Sequence, residues 1–379
     1  MTEINRKTRE KIIKNCTRVV IKAGTRLLTD TARIPVLISQ IAKLKEKGFK
    51  VTFVSSGAVG LGMKALKLTK RPSRLAEVQA LAAIGQSKLM SLYEKECLKF
   101  GFHAAQLLLT AEDLRDRERH LNVMNCIDAL WADNVLPIVN ENDSVSVDEL
   151  KFGDNDILAA FLGAMTRSEL TIILTSVDGL YSYQNSKKGE RISIVERVTD
   201  KVKSLATGTD DSSFSIGGMI SKIRAAEIVN GAGENLWIAN GKDPEIISKI
   251  ISAEDVGTVF LPKRKQMESK KRWIRIFSKK SGKLFVDAGA VKALLKNGRS
   301  LLPSGLVSVE GSFKRGDSVE ICDAAGNTVA IGISNYSASE ASRVAGLKTS
   351  QMSAVLKTAF SDEELVHRNN LATSGTTEE

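Results

Sequence analysis

Lysines and glycines stand at two points in the sequence where they could bind a phosphate group. Lys22 closes an apolar run and Gly24 follows it, so a phosphate could reach both an ammonium group and the backbone. Lys222 follows a Gly-Gly pair at 217–218 and falls in a predicted helix, whose N-terminus would present N–H groups to an anion. No GxxxxGK(S/T) segment occurs, which excludes a Walker A loop. A strand-end lysine alone is usually a surface charge, so a role for Lys22 depends on other loops.

Three further loops concentrate small or polar side chains. Residues 55–60 (SSGAVG) lead into a helix, where N–H groups and hydroxyls can hold an anion. Residues 140–144 (NENDS) directly follow an apolar run, and residues 153–156 (GDND) open the next predicted helix. Their carboxylate and amide groups suit an ammonium group or a Mg²⁺ ion. An ordinary turn would explain the first loop, but helix capping accounts poorly for both of the others.

An α/β framework is needed to bring these loops together. Over the first 260 residues, short β-branched runs alternate with longer amphipathic segments, which is typical of βαβ units. Strands are predicted at 19–22, 51–55, 105–109, 136–140, 171–175 and 235–239. Helices are predicted at 35–47, 75–100, 114–133, 157–165, 219–230 and 244–251. The predicted fold is a three-layer α/β/α sandwich with a mainly parallel sheet, in which ligands bind outside the carboxyl ends of the strands.

A second, smaller domain is predicted after residue 262. We assign 1–262 to the α/β domain, 263–271 to a basic linker, 272–362 to a small β-rich domain with Gly-containing turns, and 363–379 to a disordered tail. The formal charge of +11 is uneven, since residues 263–299 hold thirteen Lys or Arg and two acids. Such a patch attracts phosphates or nucleic acid, although a solvated basic face that aids solubility explains it equally well.

Composition excludes several other classes of protein. The four cysteines are scattered and the chain has three histidines, so neither a disulfide framework nor a zinc site is supported. The longest apolar runs are far shorter than the ~20 residues that cross a bilayer, and residues 1–18 lack the apolar stretch of a secretory signal. We therefore expect a cytoplasmic protein without a membrane span.

Six short stretches resemble the amino-acid kinase family, and within it the members that phosphorylate the side-chain carboxylate of L-glutamate in the first step of proline biosynthesis. In chain order they are 20–25 (VIKAGT), 55–58 (SSGA), 116–119 (DRER), 138–143 (IVNEND), 153–156 (GDND) and 217–219 (GGM). The stretches 298–305 and 311–317, with Gly326, resemble a PUA domain, a small β-barrel known from RNA-modifying enzymes. Together the resemblances cover nearly the whole chain.

The resemblance to this family implies a role for each loop. Lys22 and Lys222 would contact the transferring phosphate, and Asp156 would orient both lysines. The residues that would hold glutamate are Ser56, Asp143 and Asn155. ATP would lie against Lys22, Gly24, Thr175, Ser176, Ile216, Gly217, Gly218, Met219, Ile220, Ser221 and Lys222. ATP and Mg²⁺ are the implied cofactors, and no residue is assigned as a metal ligand.

Two positions depart from the pattern of the family. Members often have Asp where this chain has Ser176, and Thr where it has Ile216. These departures concern the base and ribose of the nucleotide rather than the phosphate chemistry.

The resemblance also implies partners. They are proline as a feedback inhibitor, a glutamyl-phosphate reductase downstream, RNA through the PUA-like domain, and a second copy of the chain in a homodimer or homotetramer. Two alternatives stay open: an RNA-binding or RNA-modifying protein, and a related kinase acting on another carboxylate, carbamate or phosphate. The first 260 residues lack an aromatic RNA-stacking motif, which counts against the former. The loops at 140–144 and 153–156 favour glutamate over the latter.

Overall fold

The computed structural model describes residues 3–145, 154–184, 187–206, 218–262, 268–356 and 363–373. The chain divides into two compact units, Met1–Gln266 (unit 1) and Met267–Glu379 (unit 2). The division falls inside the segment 263–271 that the sequence analysis interprets as a linker, although 269–271 lie in a helix. Among the described residues, no helix is both long enough and apolar enough to cross a membrane.

The strands of unit 1 are short and rich in Val, Ile and Leu. In chain order the described strands are β1 (Arg18–Ala23), β2 (Lys50–Val54), β3 (Ala104–Leu109), β4 (Leu136–Glu141), β5 (Leu170–Thr175), β6 (Tyr181–Gln184), β7 (Lys187–Arg191), β8 (Ile194–Val195), β9 (Asn235–Asn240) and β10 (Thr258–Phe260). Eight of them form one sheet in the order β3-β4-β2-β1-β5-β9-β10-β8, and β6 pairs with β7 in a separate hairpin. Neighbouring strands of the large sheet run parallel except β9 and β10, which are antiparallel.

Helices cover both faces of this sheet. The described helices of unit 1 are α1 (Glu3–Lys14), α2 (Thr25–Leu28), α3 (Arg33–Glu46), α4 (Ala58–Ala65), α5 (Leu75–Leu98), α6 (Ala111–Arg115), α7 (Arg117–Ala132), α8 (Asn155–Thr166), α9 (Asp200–Ser204), α10 (Met219–Ala232) and α11 (Ile246–Ile251). Successive side chains of β9 point to opposite faces of the sheet. Trp237 packs in the core with α3 and α11, whereas Ile238 packs in the core with α8 and α10. The predicted three-layer α/β/α sandwich with a mainly parallel sheet is confirmed.

Helices α4 and α5 touch backbone to backbone. A Cβ atom built at Gly85 would lie 1.7 Å from the carbonyl oxygen of Ala58, and one built at Gly62 would lie 2.0 Å from that of Leu81. Only glycine allows this approach. The contact fixes the first turn of α4 against α5, and α4 begins directly after the loop at 55–57.

The first helix is tied to the far edge of the sheet through a buried arginine. Arg9 of α1 is fully buried, and its guanidinium carbon lies 5.6 Å from the centre of the Trp237 ring. The guanidinium donates to the Ser193 hydroxyl at 2.6 Å and to the carboxylate of Asp255, which also accepts from Arg191 at 2.9 Å. Burial acts to raise the pKa of Asp255, but the two guanidinium groups outweigh it and the pKa lies below its usual range.

One predicted helix of unit 1 is divided. The segment 114–133 is predicted as a single helix, but the structure has α6 and α7 with Asp116 between them in an extended conformation. The Asp116 carboxylate accepts a hydrogen bond from the Arg119 backbone N–H at 2.9 Å, and so caps α7. Residues 115–120 (RDRERH) are all charged or polar, so no apolar side chain there marks where one helix ends and the next begins.

Unit 2 is built around a smaller sheet. Its described strands are β11 (Lys280–Val286), β12 (Leu306–Gly311), β13 (Ser318–Cys322), β14 (Thr328–Ile333) and β15 (Leu371–Thr373), in the spatial order β12-β11-β13-β14-β15. Its described helices are α12 (Ser269–Ile276), α13 (Ala288–Asn297), α14 (Ala338–Val344) and α15 (Met352–Leu356), with short 3-10 turns at Pro303–Gly305, Thr349–Gln351 and Arg368–Asn370. The predicted β-rich character of this second domain is confirmed.

The end of unit 2 differs from the sequence analysis, which places a disordered tail at 363–379. Within the described residues 363–373, strand β15 pairs antiparallel with β14, and Leu365 and Val366 are fully buried. The prediction is therefore wrong for this stretch. The polar and small residues around 369–379 dominate the composition and obscure the few apolar side chains that complete the core.

The contact between α4 and α5 predicts a large effect of one methyl group. We expect Gly85→Ala to lower the free energy of unfolding by about 3 kcal/mol, the upper end of overpacking costs, because the new Cβ meets a backbone oxygen that cannot rotate away. Gly231→Ala in α10 is the matched control, since a Cβ there meets nothing within 4 Å and the better helix propensity of Ala is worth up to about 1 kcal/mol. Urea unfolding followed by circular dichroism measures both variants, and equal stabilities would contradict the packing described here.

Candidate active site

A cavity of about 410 Å³ opens at the carboxyl ends of the central strands. Lys22 at the end of β1, Ser56 after β2, Asp143 after β4 and Thr175 at the end of β5 all line it. Because parallel strands present their carboxyl ends at one edge of the sheet, residues far apart in sequence meet there. Helix α8 contributes Asn155 from its first turn, and α10 contributes Lys222.

One buried carboxylate holds two lysines at the base of the cavity. Lys22 Nζ lies 2.5 Å from Asp156 Oδ1, and Lys222 Nζ lies 2.9 Å from Asp156 Oδ2. Asp156 is fully buried, while 5% of Lys22 and 6% of Lys222 are exposed, so both ammonium groups reach the cavity only at their tips. Asp156 thus contacts two ammonium groups, and both lysines also line the cavity.

The pKa shifts of this group follow from burial and charge. Burial acts to raise the pKa of the Asp156 carboxyl, but the two ammonium groups outweigh it and hold the pKa below its ordinary value. Burial acts to lower the pKa of Lys22, but the carboxylates of Asp156 and Asp154 outweigh it and the pKa is raised. The charges of Asp156 and Lys22 therefore persist at neutral pH.

A fourth charged residue, Asp154, lies beside Lys22 and Asp156. Its ionised carboxylate is less well stabilised than that of Asp156. Its Oδ1 lies 3.8 Å from Lys22 Nζ and accepts the Asp156 backbone N–H at 3.1 Å, which makes it the N-cap of α8. Its Oδ2 is buried and has no hydrogen-bond partner in the described part of the chain. Burial and the neighbouring Asp156 carboxylate raise the pKa of Asp154, and attraction to Lys22 does not offset them.

A network of amides and hydroxyls forms the opposite wall. Asn155 Nδ2 donates to the Ser55 carbonyl at 2.7 Å, to Asn140 Oδ1 at 2.9 Å and to Ser56 Oγ at 3.0 Å. Asn140 in turn donates through Nδ2 to Gln86 Oε1 at 2.9 Å. Thus Ser56 and Asn155, which the sequence analysis assigns to the glutamate site, are directly bonded, and Asp143 lines the same cavity.

The glycine loops differ in what their N–H groups can do. Gly57 precedes α4 with φ of +95°, in the left-handed region where a side chain is strained. No side chain caps α4, so the first N–H groups of this helix are available at the cavity wall. Gly24, in contrast, donates its N–H to the Leu174 carbonyl at 3.3 Å. Gly24 therefore lines the cavity with its Cα rather than with an available backbone donor.

The residues assigned to ATP are only partly brought together. Thr175 and Ser176 line the cavity beside Gly24. Gly218 directly precedes α10 and Ser221 lies in its first turn, but neither lines the cavity. Met219 is buried in the core, and Ile220 is 57% exposed. Ile216 and Gly217 lie outside the described residues.

Several residues of this site have no role predicted from their sequence motifs. Asn140, Asp154 and Arg71 line the cavity, but the first two stand inside motifs whose neighbours received the roles, and Arg71 lies in an exposed basic stretch between α4 and α5. The acceptor and donor pattern of the 140–144 and 153–156 loops is a signal that could have included Asn140 and Asp154. No sequence pattern marks Arg71.

Comparison with known proteins identifies two matching domain families and closely related full-length chains. A model of the amino acid kinase family matches residues 17–240, and a model of the PUA domain matches residues 282–356. The glutamate 5-kinase of Desulfotalea psychrophila is 44% identical to this chain over 374 residues, which are 96% of this chain and 98% of the relative. The glutamate 5-kinase of Caldanaerobacter subterraneus is 42% identical over 362 residues, which are 93% and 97% of the two chains.

The chain belongs to the glutamate 5-kinase family. This confirms the resemblance to amino-acid kinases in unit 1 and the resemblance to a PUA domain in unit 2. It also gives the charged group at the base of the cavity a chemical context, because a kinase of this family must bring a carboxylate and a phosphoryl group together although both are anions.

Members of a kinase family use a nucleotide with a divalent cation. The described residues offer few ligands for such a cation. They contain no group of three or more His, Cys, Asp or Glu side chains that could hold a metal ion by themselves. Asp154 Oδ2 is a buried carboxylate oxygen without a hydrogen-bond partner in that part of the chain. One carboxylate oxygen fits Mg²⁺ as kinases bind it, through one or two carboxylates with the remaining positions filled by phosphates and water.

The raised pKa of Asp154 predicts that its ionised carboxylate lowers the stability of the folded chain. In the folded chain its carboxyl ionises at higher pH than in the unfolded chain, so ionised Asp154 lowers the free energy of unfolding above the folded pKa. Asp154→Asn removes this penalty and keeps a capping side chain. We expect the variant to be more stable than the wild type at neutral pH, with an advantage that shrinks as the pH falls towards about 4, the value for an unfolded Asp.

Urea unfolding between pH 4 and 8 measures this effect. Asp116→Asn is the matched control, because Asp116 caps α7 in the same way but is exposed. A loss of stability in Asp154→Asn at neutral pH, or a difference that does not depend on pH, would contradict the assigned cause.

Proposed function

We propose that this chain transfers the γ-phosphoryl group of ATP to the side-chain carboxylate of L-glutamate, giving L-glutamyl 5-phosphate in the first step of proline biosynthesis. Membership of the glutamate 5-kinase family supports the reaction. The single observation that carries it is the contact of Lys22 and Lys222 with one buried carboxylate at the floor of the cavity. This arrangement supplies fixed positive charge where two anions must meet.

The nucleophile needs no general base. A glutamate side chain has an unperturbed pKa of about 4.3 and is ionised at neutral pH, so it can attack without losing a proton first. Among the described histidines, His120 is buried, which lowers its pKa to about 4, and it does not line the cavity. The chemical demand is therefore neutralisation of charge, not proton transfer.

Lys22 and Lys222 are proposed to meet that demand. In phosphoryl transfer the developing charge lies on the equatorial oxygens of the transferred group. Asp156 contacts both ammonium nitrogens, so each lysine is held in place before substrate arrives and loses little side-chain entropy on binding. The role of Asp156 is thus to position both lysines.

The glutamate molecule is proposed to lie against the wall formed by Ser56, Asn155 and Asp143. The Asp143 carboxylate suits the α-ammonium group of the substrate. The available N–H groups at the start of α4, after Gly57, suit one of its carboxylates. The same wall is where proline is proposed to act as a feedback inhibitor, since it carries the same α-carboxylate and ammonium groups.

ATP is proposed to occupy the side of the cavity lined by Gly24, Thr175 and Ser176. Mg²⁺ would be held by the phosphates and by Asp154, whose Oδ2 has no hydrogen-bond partner among the described residues, and would neutralise part of the phosphate charge when bound. The segment 216–222 is proposed to contribute from the start of α10, where Lys222 reaches the cavity.

The proposed partners extend beyond the substrates. The product is an acyl phosphate, which hydrolyses readily, so a glutamyl-phosphate reductase is proposed to consume it. RNA is proposed as a partner of unit 2, since a PUA domain matches there and Lys279, Lys283 and Lys292 are exposed. We also propose that the chain forms a homodimer or homotetramer in the cytosol.

The first experiment is ADP release from ATP and Mg²⁺ with L-glutamate as acceptor. We expect turnover that depends on glutamate and falls when proline is added, because both ligands carry the groups that the wall accepts. Aspartate, N-acetylglutamate and UMP are the comparison acceptors. Turnover with one of these instead would keep the fold and change the substrate, and no turnover with any acceptor would favour RNA binding as the main function.

Two substitutions separate the proposed roles of the residues. Lys222→Ala should lower kcat by about 10²–10³-fold, as loss of one donor to a transition state does. Asn155→Ala should mainly raise the KM for glutamate, by about tenfold for a hydrogen bond worth ~1.4 kcal/mol. Steady-state kinetics on both variants, with thermal unfolding to establish that they are folded, measure this, and the reverse pattern would refute the assignment.

A further inference from the structure

A buried glutamine outside the cavity contacts the glutamate wall. Gln86 lies on α5, is 7% exposed and does not line the cavity. It follows Gly85, whose Cα abuts the Ala58 carbonyl, so the backbone at this point of α5 is fixed against α4. The backbone that carries Gln86 is therefore held at one position relative to the wall.

Gln86 helps to orient the next amide in the network. Its Oε1 accepts a hydrogen bond from Asn140 Nδ2 at 2.9 Å. Asn140 Oδ1 is thereby turned the other way, and it accepts from Asn155 Nδ2 at 2.9 Å and from the Glu141 backbone N–H at 3.0 Å. An amide has two donors on one side and two acceptor positions on the other, so the backbone N–H of Glu141 and the acceptor at Gln86 favour the same direction of Asn140 from its two sides.

The orientation of the Asn140 amide in turn affects that of Asn155, which lines the cavity. Its Nδ2 donates to Asn140, to the Ser55 carbonyl and to Ser56 Oγ, and these acceptors occupy its donor capacity. Asn155 Oδ1 is then the amide atom left for a ligand. A carbonyl oxygen accepts from an ammonium group and repels a carboxylate, so the orientation decides which end of an amino acid can lie there.

The other end of the Gln86 amide shows that this arrangement carries a cost. Gln86 Nε2 is buried and has no hydrogen-bond partner in the described part of the chain. An unsatisfied buried donor is unfavourable, and an apolar side chain of similar volume would avoid it. Gln86 is thus better explained by the acceptor that it offers to Asn140 than by packing alone.

We propose that Gln86 is a positioning residue for glutamate binding, acting through the orientation of Asn140 and Asn155. The inference rests on the proposed function and deepens it. Gln86 does not touch substrate, nucleotide or the lysines, so it affects the binding of glutamate rather than the transfer step.

The test compares two buried glutamines. Gln40 on α3 is 5% exposed, its Oε1 accepts the Ile247 N–H at 2.9 Å, and its Nε2 is also buried without a partner in the described residues, but it does not line the cavity or bond to its wall. Gln86→Met and Gln40→Met therefore remove the same kind of interaction. Steady-state kinetics varying glutamate at saturating ATP, then ATP at saturating glutamate, are measured on both variants and the wild type.

We expect Gln86→Met to raise the KM for glutamate about tenfold, the value of a lost hydrogen bond, while kcat and the KM for ATP change less than about threefold. Gln40→Met should leave all three constants within about threefold of the wild type. Gln86→Asn is the second variant, because its side chain stays polar but is one methylene too short to reach Asn140, and the same rise in KM is expected.

Two results of these measurements would refute the proposed role of Gln86. An unchanged KM for glutamate in whichever Gln86 variants retain a cooperative thermal unfolding transition would overturn it. Equal effects of the Gln86 and Gln40 variants on every constant would also overturn it, since they would reveal a general loss of stability. A wild type without glutamate-dependent turnover would instead refute the proposed function itself, so the two failures are distinguishable.

Discussion

The burial of one carboxylate between two ammonium groups is the constraint on which the rest of the site depends. Asp156 is fully buried, and a buried charge without partners would cost several kcal/mol. Lys22 and Lys222 satisfy it, but they come from β1 and α10, and the contact with Lys222 spans 66 residues. The three charges meet only when the central strand and both helices are in place. The same geometry that stabilises the carboxylate also directs positive charge towards the cavity.

Much of this fold could be predicted from the sequence because its central strands are buried on both sides. Runs such as Val19–Ile21 and 171–175 are continuously apolar or β-branched, and every one of the six predicted strands is present within a residue or two. The peripheral elements were not predictable in this way. Strands β8 and β10 are two and three residues long, and the hairpin of β6 and β7 is polar, so none produces a periodic signal.

The site was predictable to the extent that each residue stood in a recognisable motif. Lys22, Asp156 and Lys222 were assigned roles from their motifs, and the structure places them in contact. Gln86 illustrates what a motif cannot provide. Its importance arises from a hydrogen bond to Asn140, 54 residues away, and its position on α5 looks like that of any buried polar residue in a helix. Hydrogen-bond direction is a property of the folded network, not of local sequence.

The buried Arg9 has a consequence for the order in which the chain can mature on the ribosome. Its partner Asp255 lies 246 positions later, so nearly all of the rest of unit 1 must be synthesised after α1 before the Arg9 guanidinium is satisfied. At ~5–20 residues per second this delay is roughly 10 to 50 s. During that interval α1 is an amphipathic segment without its binding surface, and a chaperone acting on the nascent chain would find it exposed.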